Sequence, residues 1–403
     1  MTQTLTARRL ITPEATLNFP VLTITDGLIT HIASDPTLSH EEDTLTAAFL
    51  DIHTHGAMGH DVMTASPSDL HQLQLFLAQH GVAHYLPTTV TASIDATLRA
   101  LEALANLIET PTPANETQPI GIHLEGPFLS HAKPGVHSPA LLQPPSIALF
   151  DRFQSAARGH IKLLTLAPEP GALPSTAAFG GQGGVSSKAR PFSSDTALDL
   201  IRHATSLGTK ISLGHSNATA AETLAAIAAG AASATHTFNA MRPLDHREPG
   251  ILGTVLDQQT LFAELICDGI HVAPPLVRLW LKAKGLTHAI LVTDSMSATG
   301  MPDGPYTLAG AAVTVANGSV FVTADPITLA GSILTMDQAV ANLQAFTQAP
   351  LADAVRLASH NPAAMLGLPH LTQLTPGRPA NFNRFNAQNQ LITTYLNGQP
   401  IPA

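Results

Sequence analysis

Leu50-Asp51-Ile52-His53-Thr54-His55 directly follows an apolar stretch, and its reading decides the fold. Alternate residues of a strand share a face, so His53 and His55 stand side by side and are able to grip one cation. Two histidines one residue apart also arise by chance in a chain with 20 of them, as solvated or hydrogen-bonded side chains. Repetition gives this pair its weight, because acidic and imidazole side chains recur at the ends of later apolar runs. Strands are predicted at 50–53, 82–87, 120–124, 161–166, 210–213, 234–237, 261–266 and 289–292. Between them, stretches such as 67–80 and 220–229 have the Ala and Leu spacing of amphipathic helices. Eight strands alternating with helices predict an α/β fold, a (β/α)8 TIM-type barrel.

The barrel is expected over 50–364, a length that suits one large domain with an appendage. Residues 1–49 and 365–403 differ, with short alternating strands at 21–24, 28–32 and 391–395 and the turn pairs Asp26-Gly27 and Asn397-Gly398. Together these termini are expected to build one small β domain. Residues 171–195, rich in Gly, Ser, Ala and Pro, have no hydrophobic period and read as a surface insertion. Its Gly180-Gly181-Gln182-Gly183-Gly184 run lacks the Lys-Ser/Thr that a phosphate loop needs. Asn317-Gly318 between apolar alternations predicts a hairpin over 312–322.

With 12% charged and 44% hydrophobic residues the chain reads as compact rather than disordered. No apolar run is long enough to span a membrane, and the first residues lack the pattern of a secretory signal, so a cytoplasmic protein is expected. A formal charge of −10 argues against nucleic-acid binding, which depends on Lys and Arg neutralising phosphates. The single cysteine, Cys267, excludes an intrachain disulfide and a multi-thiolate zinc site. It reads as a small buried apolar residue, leaving His, Asp and Glu as metal ligands.

In a barrel of this type, residues at the carboxyl ends of distant strands converge on one face. His53, His55, Glu125, His215, His236 and Asp294 all occupy such positions. Each alone could be a satisfied buried polar residue, but together they form one candidate cluster. A carboxylate with neutral imidazoles matches hydrolytic zinc or iron sites that keep a position open for water.

Seven motifs in order carry a resemblance: GIHLEGPF at 121–128, LAPE at 166–169, LGHS at 213–216, THTFNAM at 235–241, CDGIHV at 267–272, VTDSM at 292–296 and LAGS at 329–332. From about residue 50 to 370 the chain resembles the N-acetylglucosamine-6-phosphate deacetylase family of the amidohydrolase superfamily. The resemblance implies a metal-dependent barrel with a small β-sandwich, and hydrolysis of the acetamide of N-acetylglucosamine 6-phosphate. It implies Glu125, His215 and His236 as principal metal ligands and Asp294 as the catalytic acid/base. His53 and His55 then speak to a second ion bridged through the glutamate. Zinc is the expected divalent metal, with iron, manganese and cobalt suited to the same donors.

By the same resemblance Asn239, Ala240, Asp268, Gly269 and His271 line the sugar site, and His271 orients substrate or stabilises the carbonyl. Val136 matches a position where the main chain meets substrate, and Leu329, Ala330 and Gly331 match a closing loop. Arg247 in HREPG matches a phosphate-contacting arginine that can come from a neighbouring subunit, which implies a homodimer. A surface ion-pair role is the plainer alternative for Arg247. Among histidines and acids in loops predicted to face the site, His60, Asp61, His131 and His137, the last is the one expected to touch ligand. His123 reads as a residue behind the site and His84 as packing within the barrel.

The chain departs from the family pattern at Ala48-Phe49, where Pro-Gly is usual, and at Asn381, which stands for an aspartate in the β domain. Stability rather than catalysis is expected to feel the second change. N-acetylgalactosamine 6-phosphate is the alternative substrate, since one hydroxyl separates the epimers. A noncatalytic sugar-phosphate sensor is the alternative class, although a sensor has no need of Asp294. A cyclic-amide hydrolase would usually carry a lysine bridge, which LEGPF lacks.

Overall fold

The computed structural model describes residues 1–169 and 195–403, so nearly all of the predicted 171–195 insertion lies outside the described residues. Eight parallel strands form the barrel: β1 Phe49–Thr54, β2 Val82–Thr89, β3 Ile122–Glu125, β4 Ile161–Leu166, β5 Lys210–Leu213, β6 Ala231–Ala234, β7 Phe262–Ile266 and β8 Ala289–Val292. Both faces of these strands are covered, which is why runs such as Ile290-Leu291-Val292 are continuously apolar and wholly buried. Helices Pro67–Gln79 and Ala220–Ala229 pack outside, started by capping boxes at Ser66 with Asp69 and Thr219 with Glu222.

The barrel closes between β8 and β1 just beyond the end of β8. Thr54 bridges Ser295 in parallel, Asp294 N–H donates to the His53 carbonyl at 2.9 Å, and His55 N–H donates to Ser295 at 2.7 Å. Buried Asp51 adds a side-chain tie by accepting the Thr293 hydroxyl at 2.6 Å. This seam makes the first histidine motif and VTDSM neighbours despite some 240 intervening residues.

One expectation needs correction and another extension. Strand six was predicted at 234–237 and lies at Ala231–Ala234. The ladder stops because His236, Phe238 and Ala240 take positive φ angles of 27°, 81° and 49°, turning the chain across the barrel mouth. The hairpin around Asn317-Gly318 is present, but it is the centre of a four-stranded antiparallel sheet with Gly304–Leu308 and Asp325–Leu329 at its edges. Those edges carry Pro305 and Pro326 and are largely exposed, which erases the alternation that marks a strand. Val313, Val315 and Val320 give this sheet its own small core against Met296 and Ala298.

The termini form two further sheets. Thr2–Thr6, Pro20–Thr25 and Leu28–Ser34 make one. Arg9–Ile11, Thr16–Asn18, Thr44–Ala47, Phe382–Phe385, Leu391–Leu396 and Gln399–Pro402 make the other. Leu10, Leu22, Ile24, Leu45 and Phe382 share one core between them. At the two departures noted above, Phe49 is buried with its ring 6.3 Å from Phe385, and Asn381 accepts the Asn397 N–H at 2.7 Å. Among the described residues no helix is long and apolar enough to cross a membrane.

Candidate active site

Six buried side chains converge at the carboxyl end of the barrel. Glu125 Oε1, at the end of β3, lies 3.3 Å from Nε2 of both His215 and His236, and its Oε2 lies 3.4 Å from His55 Nε2. Asp294 Oδ1 lies 3.1 Å from His55 Nε2 and 3.3 Å from His53 Nε2. Two donor sets result, Glu125 with His215 and His236, and His53 with His55 and Asp294. Strand ends alone do not achieve this aim: His215, His236 and Asp294 sit at φ of 47°, 27° and 50°. Such left-handed backbone in non-glycine residues costs on the order of 1–3 kcal/mol each and concentrates at functional sites.

The outer ring nitrogens settle where the protons are. His55 Nδ1 faces the Thr88 carbonyl at 2.9 Å, His215 Nδ1 the Lys133 carbonyl at 3.1 Å, and His53 Nδ1 the Glu264 carboxylate at 3.3 Å. A ring nitrogen facing an acceptor carries a proton, which leaves Nε2 as the atom each ring can offer to an ion once its own proton is displaced. His137 is the reverse case. Its Nδ1 accepts the Thr91 N–H at 3.2 Å, so its Nε2 proton faces Glu125 Oε2 at 3.4 Å and steadies the carboxylate.

Two buried carboxylates among these rings leave a concentration of negative potential that protons or a metal cation balance. The titration of these groups reflects the same crowding. Burial would lower the His55 imidazole, yet Asp294 and Glu125 outweigh it and raise it to about 9. Burial would raise Asp294, but the charge of His53 and the contact with His55 hold it well below the usual carboxylate range. Burial, with His137 adding to it, pushes His215 down to about 4.

Above this centre opens a cleft of ≈ 430 Å³, lined by the two donor sets' inner members and by Val136, Asn239, Ala240, His271, Leu329 and Gly331. Its size is that of a small-molecule site. The chain matches the amidohydrolase family over residues 44–401. It is 36% identical over 402 residues to an N-acetylgalactosamine-6-phosphate deacetylase from Escherichia coli O157:H7, covering 99% of each chain. It is 34% identical over 362 residues to an N-acetylglucosamine-6-phosphate deacetylase from Bacillus subtilis, covering 89% of this chain and 84% of that one.

The chain belongs to the amidohydrolase family.

That family is metal-dependent, in keeping with the donor sets. A solved N-acetyl-D-glucosamine-6-phosphate deacetylase mutant from Mycobacterium smegmatis, in complex with N-acetyl-D-glucosamine-6-phosphate, superposes with a TM-score of 0.88 at 30% identity over the whole of both chains.

Not every residue singled out from sequence lines the amidohydrolase cleft. Asp268 lies behind it, accepting the His271 Nδ1 proton at 2.6 Å and two backbone N–H groups at 2.8 Å, so it aims His271. Gly269 and Ala330 also stand outside the lining, Ala330 being buried beneath Leu329 and Gly331. Arg247 is exposed on the loop after Met241 and does not line the cleft of its own chain. His60 contacts Gln72, and His131 is exposed. His123 lies under His53, with rings 4.6 Å apart, and bonds the Ile52 carbonyl and Thr165. Cys267 and His84 are buried, as composition suggested.

Three residues escaped the sequence reading. Lys133 lines the cleft on the loop whose carbonyl holds His215. Glu169 of LAPE accepts the Ser216 hydroxyl at 2.7 Å and the Asn217 N–H at 2.6 Å, fixing the turn after His215. Glu264, buried on β7, meets His53. Nothing marks Lys133 or Glu264 locally, whereas Glu169 stood in a motif that lacked a partner until the turn at 215–217 was seen.

Proposed function

We propose that the chain hydrolyses the acetamide of N-acetyl-D-glucosamine 6-phosphate to D-glucosamine 6-phosphate and acetate. The observation that carries this reading is Asp294, an ionised carboxylate that belongs to the second donor set and lines the cleft. A bound divalent metal would supply Lewis acidity, polarising the acetamide carbonyl and acidifying the attacking water. Asp294 takes the water proton at its carboxylate and returns it to the sugar nitrogen as the C–N bond breaks. His271, aimed by Asp268, orients the acetamide and steadies the carbonyl oxygen.

Glu125, His215 and His236 would hold the first ion, and His53, His55 and Asp294 would hold a second. Zinc suits these donors, as do iron, manganese and cobalt. Asn239, Ala240 and Val136 flank the sugar, and Leu329 to Gly331 border it. Lys133 of the same chain and Arg247 of a neighbouring copy meet the phosphate, which makes the working form a homodimer. The enzyme is cytoplasmic and serves amino-sugar breakdown.

N-acetyl-D-galactosamine 6-phosphate is a second reading, favoured by the full-length relative of that name at 36% identity. Parallel acetate-release assays separate the epimers. Higher kcat/KM on the gluco epimer supports the first reading, and higher kcat/KM on the galacto epimer replaces it with the second. Tight binding of both without turnover, in metal-loaded protein, would make the chain a sensor.

A further inference from the structure

Glu264 stands at the middle of β7 and is wholly buried in the barrel interior, where apolar side chains are usual. A carboxylate there is costly unless its oxygens are occupied. Its Oε2 lies 3.3 Å from His53 Nδ1 and 3.4 Å from the His236 backbone N–H, and its Oε1 accepts the Ser212 hydroxyl at 3.4 Å. Among the described residues, His53 is the one ion-pair partner recorded for it. A chain of hydroxyls continues the layer: Thr235 donates to Ser212 at 2.7 Å, Thr165 lies 2.8 Å from Thr235, and His123 Nε2 lies 2.8 Å from Thr165. Glu264 is therefore held directly by two other strands, through His53 and Ser212, and by the turn at His236.

Among the described residues, the acceptors behind His55 and His215 are neutral carbonyls, those of Thr88 and Lys133, and the His236 Nδ1 has no partner. Of the four donor-set histidines, His53 is the one backed by a carboxylate. An anionic acceptor raises the basicity of the opposite nitrogen and fixes the ring's tautomer and tilt. We infer that Glu264 is a positioning residue for the second ion. It holds the His53 proton on Nδ1, so that Nε2 is presented with His55 and Asp294 as a competent donor set. This inference rests on the two-ion reading above.

The test is metal content after loading and dialysis, with site affinities from competition against a chelator. Wild type, Glu264→Gln, His53→Gln and the double variant are compared. Wild type is expected to hold two ions. Glu264→Gln should weaken the second site by about ten- to hundred-fold and leave the first within about twofold. His53→Gln should hold one ion, and the double variant should match it. Two ions in wild type with an unchanged second site in Glu264→Gln would overturn the inference alone, as would equal weakening of both sites. One ion in wild type would overturn the two-ion reading and this inference with it. Nitrogen-15 NMR of His53 in the zinc-loaded wild-type protein provides a check that needs no variant to fold. A proton on Nδ1 is expected, and a proton on Nε2 overturns the inference.

Discussion

Asp294 Oδ1 lies 3.1 Å from His55 Nε2, across the seam where the last barrel strand meets the first. Neither residue reaches the other along its own strand. The contact exists because Ser295 accepts the His55 N–H and His53 accepts the Asp294 N–H. In Asp294→Asn the amide cannot take up a water proton, while the backbone closing the seam is untouched. Turnover is expected to fall by at least about 10²-fold, the scale of lost general-base catalysis. Single-turnover kinetics with a separate substrate-binding measurement would show the loss in kcat with binding retained. Activity within a few-fold of wild type would assign the proton transfer elsewhere.

The two donor sets should load with unequal sensitivity to pH. In the metal-free protein His55 is raised to about 9 and His53 well above its ordinary value, so both carry protons near neutrality. An ion must displace those protons, and its affinity there rises with pH up to about 9 and falls on acidification. In the other set His236 is raised as well, but His215, pushed down to about 4, needs no such displacement, so fewer protons oppose the ion there. Lowering the pH at a fixed buffered metal concentration should therefore empty the His53–His55–Asp294 set first, visible as two steps in metal content. The same raised value stabilises the metal-free fold below the unfolded value of about 6.5 and is lost as pH rises through 9. Simultaneous loss of all metal would contradict the ordering.

Gly135 shows how tightly the loop at 130–137 is fitted to the centre. Its φ is +57°, and an added Cβ would meet His215 Cε1 at 2.9 Å. Gly135→Ala must strain the backbone or push the His215 ring off its Lys133 acceptor. Metal affinity at the Glu125–His215–His236 set is expected to drop about tenfold or more, the scale seen when an orienting partner is lost. Chelator competition would measure it, and unchanged affinity would show that the loop yields freely.

The phosphate reading separates two cations. Lys133 lines the cleft of its own chain, whereas Arg247 is exposed away from it. Lys133→Met should raise KM for the phosphorylated substrate by about tenfold, as expected for a lost charge-assisted contact. Arg247→Met should do so only where the protein is dimeric. Concentration-dependent kinetics beside sedimentation would show the difference, and unchanged KM in both variants would place the phosphate elsewhere.

The barrel was legible because its strands are buried on both faces and punctuated by polar residues at one end. The count of eight and the strand-end cluster followed from that pattern. The two extra strands beside the Asn317-Gly318 hairpin were not, since exposed, proline-bearing edges leave no period. The shift of β6 was hidden for a related reason. Thr235 to Thr237 look like strand residues, and the positive φ of His236 is imposed by the barrel mouth rather than by its own side chain. Within the site, residues that end strands could be named in advance. Asp268 was named through the resemblance as a sugar-site residue, but its hold on His271 was not foreseen, nor was Glu264 behind His53, since three-dimensional neighbours set both contacts and no spacing announces them.

The account stands most directly on acetate release from N-acetyl-D-glucosamine 6-phosphate by the purified, metal-loaded protein. One acetate per substrate consumed is predicted, abolished by chelation, restored by added divalent metal, and lost in Asp294→Asn. Metal-loaded protein that leaves this substrate and its galacto epimer intact while hydrolysing a different amide would contradict it.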